Sequence, residues 1–140
     1  SQEAVAQAQR NAEHNGLKAE FIAANVFDFF HEKKNETWDL IVLDPPPFAK
    51  TKEKTEDALR GYKELNLRAM QRLSSGGALA TYCCSHHISK EMFESMLRDA
   101  AGDAERDARI LCRCAQPADH PVLLNVPESE YVHGVIVEAD

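Results

Sequence analysis

The sequence lacks any apolar run approaching the roughly 20 residues that a membrane-spanning helix needs. Its opening stretch, SQEAVAQAQRNAEHNG, is polar and helix-like, so it does not have the apolar centre of a signal peptide. Positive charge is also scarce, because 16 Lys and Arg stand against 23 Asp and Glu, for a net charge of -7. We therefore expect a cytoplasmic protein with no membrane partner, and one that does not bind nucleic acid by bulk electrostatics.

Cysteine is present but in spacings that exclude the common zinc motif. The four cysteines form two tight pairs, Cys83 with Cys84 and Cys112 with Cys114, and neither pair is a C-x-x-C. His86 and His87 lie near the first pair, but both pairs fall in apparent strands. We expect reduced thiols and no metal site.

The 140 residues are enough for one domain, 1–140, of alternating helices and strands. The hydrophobic periodicity and capping residues predict helices at 2–15, 26–31 and 56–73, the last ended by Gly76 and Gly77, and a fourth helix that begins after Ser89. Strands are predicted at 21–24, 38–43, 78–84, 109–114 and 131–138, with a short extended piece at 122–126. The alternation indicates an α/β fold with a mostly parallel sheet.

The stretch WDLIVLDPPPFAK, residues 38–50, is the most distinctive part of the chain. Its apolar run is too short for a helix and reads as a strand buried on both faces. Asp44 stands where that strand ends, and three prolines then carry the chain stiffly out to Phe48. Since ligands of open α/β sheets bind outside the carboxyl ends of the strands, this is a candidate site.

A second polar cluster, CCSHH at 83–87, follows the next strand. Neighbouring parallel strands would bring it to the same rim as Asp44. An acid, an aromatic ring, thiols and histidines are the materials of nucleophilic and acid/base chemistry.

Basic residues gather after the proline stretch. They are Lys50, Lys52, Lys54, Arg60, Lys63, Arg68 and Arg72. The cluster is either an anion-binding patch beside the site or an ordinary solvated helix face, and the sequence leaves both open.

Several motifs together resemble one family: DPPPF at 44–48, RGYKELN at 60–66, the glycine pair before ALATYCCS, QPADHPV at 116–122 and PESEYVHG at 127–134. They are similar to the C-terminal half of bacterial S-adenosylmethionine-dependent RNA methyltransferases that modify C5 of a cytosine in large-subunit ribosomal RNA and carry a PUA-like domain. The resemblance covers essentially the whole chain. It implies a Rossmann-like class I methyltransferase fold, S-adenosylmethionine as cofactor and ribosomal RNA as partner.

The resemblance also implies roles for matching positions. Cys84 matches the nucleophile, whose thiolate attacks C6 of the base, and Cys83 stands where the family usually has serine. Asp44 matches an acid near the amino edge of the base and near the cofactor, with Pro45 beside it. Asn25 stands where the family usually has an Asp that touches the adenine of the cofactor.

Further positions are expected on the substrate side. Pro46 shapes the slot for the base, and Phe48 stacks on it. Tyr62 and Lys63 contact RNA or the loop of the site, unless Tyr62 only packs. His120 orders the substrate pocket or fixes the loop before the final strands.

By the same resemblance the chain starts after the first two strands and the glycine-rich loop that holds the cofactor. We therefore expect a fragment that is inactive alone and binds cofactor poorly. Without those strands, the strand at 38–43 becomes an exposed apolar edge, and such edges invite pairing, so a homodimer is expected.

Two other functions remain open. An enzyme that methylates an exocyclic amine would use DPPPF to grip the amino group and needs no thiol. A non-catalytic fold fragment would keep all four cysteines in its core.

Overall fold

The computed structural model describes residues 1–48 and 51–140, apart from the side chain of Lys52. These residues form two compact units, Ser1–Lys34 and Asn35–Asp140. Lys50 and the Lys52 side chain, two members of the expected basic cluster, lie outside the described residues. No helix within the described ranges is long and apolar enough to cross a membrane.

The first unit contains two helices, both as the sequence predicts. Helix α1 spans Gln2–His14, and the hydroxyl of its N-cap Ser1 accepts a hydrogen bond from the N–H of Ala4. Helix α2 spans Val26–Glu32 and begins at Asn25, whose side-chain oxygen accepts from the N–H of Phe27 at 2.9 Å. Polar N-caps satisfy N–H groups that the first turn leaves without partners.

The strand predicted at 21–24 is wrong. These residues have no regular structure, and Ile22 is exposed. A strand is stable only when its backbone pairs with a neighbour, and the described residues of the first unit supply helices alone.

The second unit carries the sheet. Its strands are β1 Trp38–Leu43, β2 Leu73–Cys84, β3 Ala108–Cys114 and β4 Val132–Ala139, and its helices are α3 Thr55–Met70 and α4 Lys90–Asp103. The strand order is β1-β2-β4-β3, in which β1 and β2 are parallel while β4 is antiparallel to both β2 and β3. The prediction of a mostly parallel sheet is confirmed, because three of the four described strands, β1, β2 and β3, run in the same direction. Strand β4 runs against them, since the connection from β3 to β4 contains no crossover helix and the chain turns back.

The glycine pair lies in a strand, not at the end of a helix as predicted. Helix α3 ends at Met70, and Gly76 and Gly77 belong to the irregular start of β2. Gly76 has a φ of +73°, and a Cβ on Gly77 would lie only 2.9 Å from a backbone oxygen of Ser74. Glycine is favoured at Gly76 because of the positive φ, and at Gly77 because the bulged backbone leaves no room for a side chain.

Helices α3 and α4 cover one face of the sheet. The residues buried between them and the strands include Tyr62, Leu65, Met70, Leu79, Phe93, Leu97, Val135 and Val137. The expectation that β1 is buried on both faces is wrong, because α3 and α4 of this unit lie on the same face of the sheet and leave Leu40 and Val42, on the other face, exposed. These two side chains are 61% and 60% exposed.

Candidate functional site

The candidate site lies at the carboxyl ends of β1 and β2. These strands are parallel neighbours with Leu43 paired to Thr81, so Asp44 and Cys84 emerge at the same rim. Asp44 is exposed, Cys84 is half-buried, and the carboxylate acts electrostatically on the thiol. The predicted meeting of DPPPF and CCSHH at one rim is confirmed.

The two adjacent thiols differ sharply in their surroundings. Burial raises the pKa of Cys84 above the ordinary thiol value, and the negative charge of Asp44 raises it further. Cys83 points into the core, where it is fully buried, and burial raises its pKa to about 11. Only Cys84 therefore offers its sulfur to a ligand at the rim.

Phe48 is held on the surface of α3. Its ring lies 4.6 Å from that of Tyr62, centroid to centroid, with the ring planes tilted by 38°. A Cβ on Gly61 would lie 3.1 Å from the Phe48 ring. The ring is half-buried, so part of it rests on the helix while part of it stays accessible.

Gly61 is a site residue that sequence reasoning missed. A glycine inside a helix makes the helix less stable than alanine would, by about 1 kcal/mol. Its presence in the predicted helix was therefore a sign that another group packs closely there.

Tyr62 is buried and does not reach a ligand. It lies between Phe48 and Phe93, and its hydroxyl faces the Cys83 thiol without a hydrogen bond of ordinary geometry. Burial therefore raises the pKa of Tyr62. Of its two expected roles, direct contact with RNA does not agree with this placement, whereas packing does.

The described part of the basic cluster is largely neutralised. Lys63 lies 2.7 Å from Asp103 of α4, and Asp103 raises the pKa of Lys63. Two more members also pair with nearby carboxylates, Arg60 with Asp57 and Arg68 with Glu64. This pattern favours the solvated helix face over an anion-binding patch.

The loop of residues 115–131 is tied to the rim by contacts that sequence reasoning missed. The side-chain oxygen of Gln116 accepts from the backbone N–H groups of Tyr131 and Val132, at 2.6 and 3.0 Å. The Nδ1 atom of His86 lies 2.9 Å from the backbone oxygen of Glu128. These bonds span 15 to 42 residues of chain, so no local pattern points to them.

His120 lies in the same loop and is exposed. Its ring is 3.3 Å from the Asp119 carboxylate, and its backbone oxygen accepts from Gln116. This geometry places His120 in the ordering of the loop, which was one of its two expected roles.

Asn25, the expected adenine contact, lies in the first unit, whereas the other expected site residues lie in the second. In its own unit it caps α2, which leaves its side-chain NH2 group to donate.

The four cysteines are free thiols. No group of three or more His, Cys, Asp or Glu side chains within the described ranges is placed to hold a metal ion.

Comparison with known proteins adds a family and close relatives. Residues 1–108 match the methyltransferase small domain family. The chain is similar to the ribosomal RNA large subunit methyltransferase I of Aeromonas salmonicida strain A449, with 44% identity across 99% of this chain and 36% of the relative. The protein of the same name from Escherichia coli strain SMS-3-5 is 41% identical across 96% of this chain and 35% of its own length. The chain therefore spans about a third of the length of the curated relatives that it matches.

Two solved structures share the fold. One is described as a SAM-dependent methyltransferase from Streptococcus mutans, with a TM-score of 0.82 and 19% identity over 99% of this chain and 36% of that one. Another is described as a methyltransferase complexed with SAH, with a TM-score of 0.82 and 20% identity over 99% of this chain and 37% of that one. At such identities the likeness shows the fold alone, and the expected Rossmann-like methyltransferase fold is confirmed.

Proposed function

The chain belongs to the methyltransferase small domain family, and from this membership we propose that its protein is an S-adenosylmethionine-dependent enzyme that methylates C5 of a cytosine in large-subunit ribosomal RNA. Relatives named as large-subunit ribosomal RNA methyltransferases, similar over nearly the whole chain, support the substrate. The observation that carries the C5 chemistry is the accessible Cys84 thiol beside Asp44. A ribosomal RNA substrate also makes the cytoplasm the place of action.

This reaction needs a thiol because C5 of a neutral cytosine ring is a poor nucleophile. The Cys84 thiolate forms a C–S bond at C6, and the electron pair of the C5–C6 double bond makes C5 nucleophilic. When bound, S-adenosylmethionine supplies an electrophilic methyl group. After C5 is methylated, a base removes the C5 proton, and the electron pair of that C–H bond restores the C5–C6 double bond as the C–S bond breaks and the thiolate is released.

Asp44 would bind the amino edge of the base. Its carboxylate can accept from the N4 amino group and from a proton on N3, and protonation of N3 makes C6 more electrophilic. Asp44 also opposes formation of the thiolate while its charge is uncompensated. Binding of cytosine would therefore favour the thiolate, because hydrogen bonds from the base to the Asp44 carboxylate compensate its negative charge.

Asn25, Pro45 and Pro46 each carry a polar group that would hydrogen-bond to a part of S-adenosylmethionine or of another bound ligand. Asn25 uses its side-chain oxygen for the cap of α2, so its NH2 group is left to donate to an acceptor nitrogen of adenine. Pro45 and Pro46 have carbonyl oxygens but no N–H, so they would accept from amino groups of a bound ligand.

The test is Cys84→Ala in the intact protein, with tritiated S-adenosylmethionine and deproteinised large-subunit RNA that lacks the modification. We expect Cys84→Ala to abolish methyl transfer and to abolish the covalent adduct with RNA that contains 5-fluorocytosine. The control, Cys112→Ala, changes an exposed thiol on β3 and should retain both.

Other outcomes would point to the other functions. Methyl transfer by Cys84→Ala at the wild-type rate, with the methyl group on an exocyclic nitrogen, would support an amine methyltransferase and refute the C5 reaction. Absence of transfer by the intact wild-type protein to any ribosomal RNA would support a non-catalytic role.

A homodimer remains part of the proposal. The exposed edge strand β1, with Leu40 and Val42 on its surface, supports pairing of the 140-residue chain with a second copy.

A further inference from the structure

The loop of residues 115–131 holds one leucine fully in solvent. Residues 123–126 make a tight turn, in which the N–H of Val126 donates to the oxygen of Leu123 at 2.9 Å. Leu124, at the tip of this turn, is 100% exposed. Val122, Leu123 and Val126 around it are also exposed, so the turn presents a run of apolar side chains, and such groups mark interaction sites.

The turn is firmly held. The Ser129 hydroxyl accepts from the N–H of Leu123 at 2.7 Å and donates to the oxygen of Val126 at 2.7 Å. One side chain thus closes both ends of the turn. A side chain presented by a rigid turn loses less conformational entropy when it is inserted into a partner.

The turn is also joined to the rim that carries Cys84. The N–H of Ser85 donates to the oxygen of Tyr131 at 3.2 Å, and His86 contacts the oxygen of Glu128. The two residues after Cys84 are therefore bonded to the same loop that presents Leu124.

The proposed reaction requires an opening in the RNA at this rim. The thiol must approach C6 from a face of the cytosine ring, and a stacked base has both faces covered. Enzymes that modify a base take it out of the stack, and leucine is one of the apolar wedges that proteins insert between bases.

The charge of the loop bears on which part of an RNA it would contact. Residues 115–131 contain no Lys or Arg, and they include Asp119, Glu128 and Glu130, so the loop is unsuited to gripping phosphates. Contact with the faces of bases suits the exposed apolar side chains of the loop, which are those of Val122, Leu123, Leu124 and Val126.

We propose that Leu124 inserts into the base stack beside the target cytosine and keeps the stack open while the base occupies the rim. This inference rests on the proposed function and adds to it a residue that acts on RNA structure. It also predicts that the substrate cytosine can be taken from a structured region of the RNA.

The experiment compares two RNAs with the intact protein, once the methylated cytosine has been mapped. One is a hairpin with that cytosine in its stem, and the other is a single-stranded oligonucleotide of the same sequence. Leu124→Ser should lower kcat/KM on the hairpin about tenfold and leave the single strand within about twofold, because only the hairpin must be unstacked. Leu124→Met should restore the wild-type rate, and Leu111→Ser, which changes an exposed leucine on β3, should have no effect.

A second readout separates this inference from the reaction itself. With 2-aminopurine next to the target cytosine and SAH in place of the methyl donor, the wild-type protein should raise fluorescence on the hairpin and Leu124→Ser should not. If the wild-type protein opens the hairpin but methylates neither RNA, the proposed reaction is wrong, whereas the insertion of Leu124 is supported. Equal losses on both RNAs, or no loss on either, would refute the wedge.

Discussion

At the scale of single residues, the contrast between Cys83 and Cys84 decides the chemistry of the rim. Successive side chains of a strand point to opposite faces, so neighbouring thiols meet different surroundings. Cys83 faces the α3–α4 layer and has a pKa raised to about 11, whereas Cys84 is half-buried beside Asp44. The strand geometry therefore supports Cys84 over Cys83 as the nucleophile.

The first prediction concerns Asp44→Asn. Its carboxylate helps to raise the pKa of Cys84, so removing the charge should lower that pKa and shift the pH profile of thiol alkylation to lower pH. Part of the elevation should remain, because burial is its larger cause. Peptide-resolved mass spectrometry after iodoacetamide treatment at a series of pH values measures the shift at Cys84.

The matched control is Asp39→Asn, at the opposite end of the same strand, where the carboxylate bonds to Ser74. It should leave the alkylation profile unchanged. Methyl transfer by Asp44→Asn should fall about 100-fold although its thiol is more reactive, because the acid for the base is lost. An unchanged profile in Asp44→Asn would contradict the electrostatic contact.

At the scale of elements, helix α3 supports the rim through the face that carries Gly61 and Tyr62. Phe48 rests on this face, and Phe93 of α4 backs Tyr62 from the other side, with ring centroids 6.2 Å apart. The position of the proposed base-stacking ring thus depends on the packing of two helices.

The second prediction compares Gly61→Ala with Gly102→Ala. Alanine stabilises a helix by up to about 1 kcal/mol over glycine, and a Cβ at Gly102 would meet nothing within 4 Å. Gly102→Ala should therefore raise the midpoint of urea unfolding. Gly61→Ala should gain less stability or lose some, because its Cβ would lie 3.1 Å from the Phe48 ring.

Methyl transfer separates the two variants further. Gly61→Ala should weaken RNA methylation by displacing Phe48, while Gly102→Ala should not. Equal stability and equal activity in both variants would show that Phe48 does not rest on α3.

The third prediction concerns Arg106, which joins the end of α3 to the start of β2 and the end of β4. Its guanidinium donates to five backbone oxygens, those of Met70, Leu73, Ser74, Ala139 and Asp140, at 2.9 to 3.3 Å. Arg106→Ala should lower the free energy of unfolding by about 2 to 4 kcal/mol, because half-buried carbonyls lose charged donors.

The control is Arg109→Ala, which removes only an exposed ion pair with Glu138 and should cost less than about 1 kcal/mol. Urea unfolding followed by circular dichroism gives both values. A similar loss in the two variants would mean that the backbone contacts of Arg106 contribute little.

At the scale of the whole molecule, the two edge strands of the sheet differ in their protection. Strand β3 carries Arg109 and Arg113, and charged side chains hinder pairing with another chain. Strand β1 ends in LIVL, with no charge after Asp39. Self-association is therefore expected through β1 and not through β3.

The fourth prediction is that the 140-residue chain forms a dimer that Val42→Lys converts to monomer. Lysine on an edge strand opposes pairing, and Val42 is 60% exposed, so the substitution should not disturb the core. Leu111→Lys on β3 should leave the dimer intact. Multi-angle light scattering measures the mass, and a monomeric wild-type chain would refute the proposed pairing.

Local patterns in the sequence were enough to determine most elements. Ser1, Asn25 and Ser89 cap helices as polar N-caps do, and the apolar runs at 38–43 and 78–84 form strands, because capping and periodicity act within a few residues of chain. The polar residues after each run predicted Asp44 and Cys84 at one rim, since parallel neighbours end at the same edge. The roles of these two residues remain predictions.

Only the tertiary structure decided the features that depend on distant partners. Residues 21–24 form no strand, Gly76 and Gly77 lie within one, and β4 runs antiparallel between β2 and β3. Pairing, register and burial are set by neighbours far along the chain, so the choice between the two roles of Tyr62 and the turn that presents Leu124 could not be read from local pattern. The edge position of β1 was expected from the sequence and is confirmed. Hydrogen bonding and packing across the sheet decided the other features, because a backbone group or side chain is stable only where a partner or solvent satisfies it.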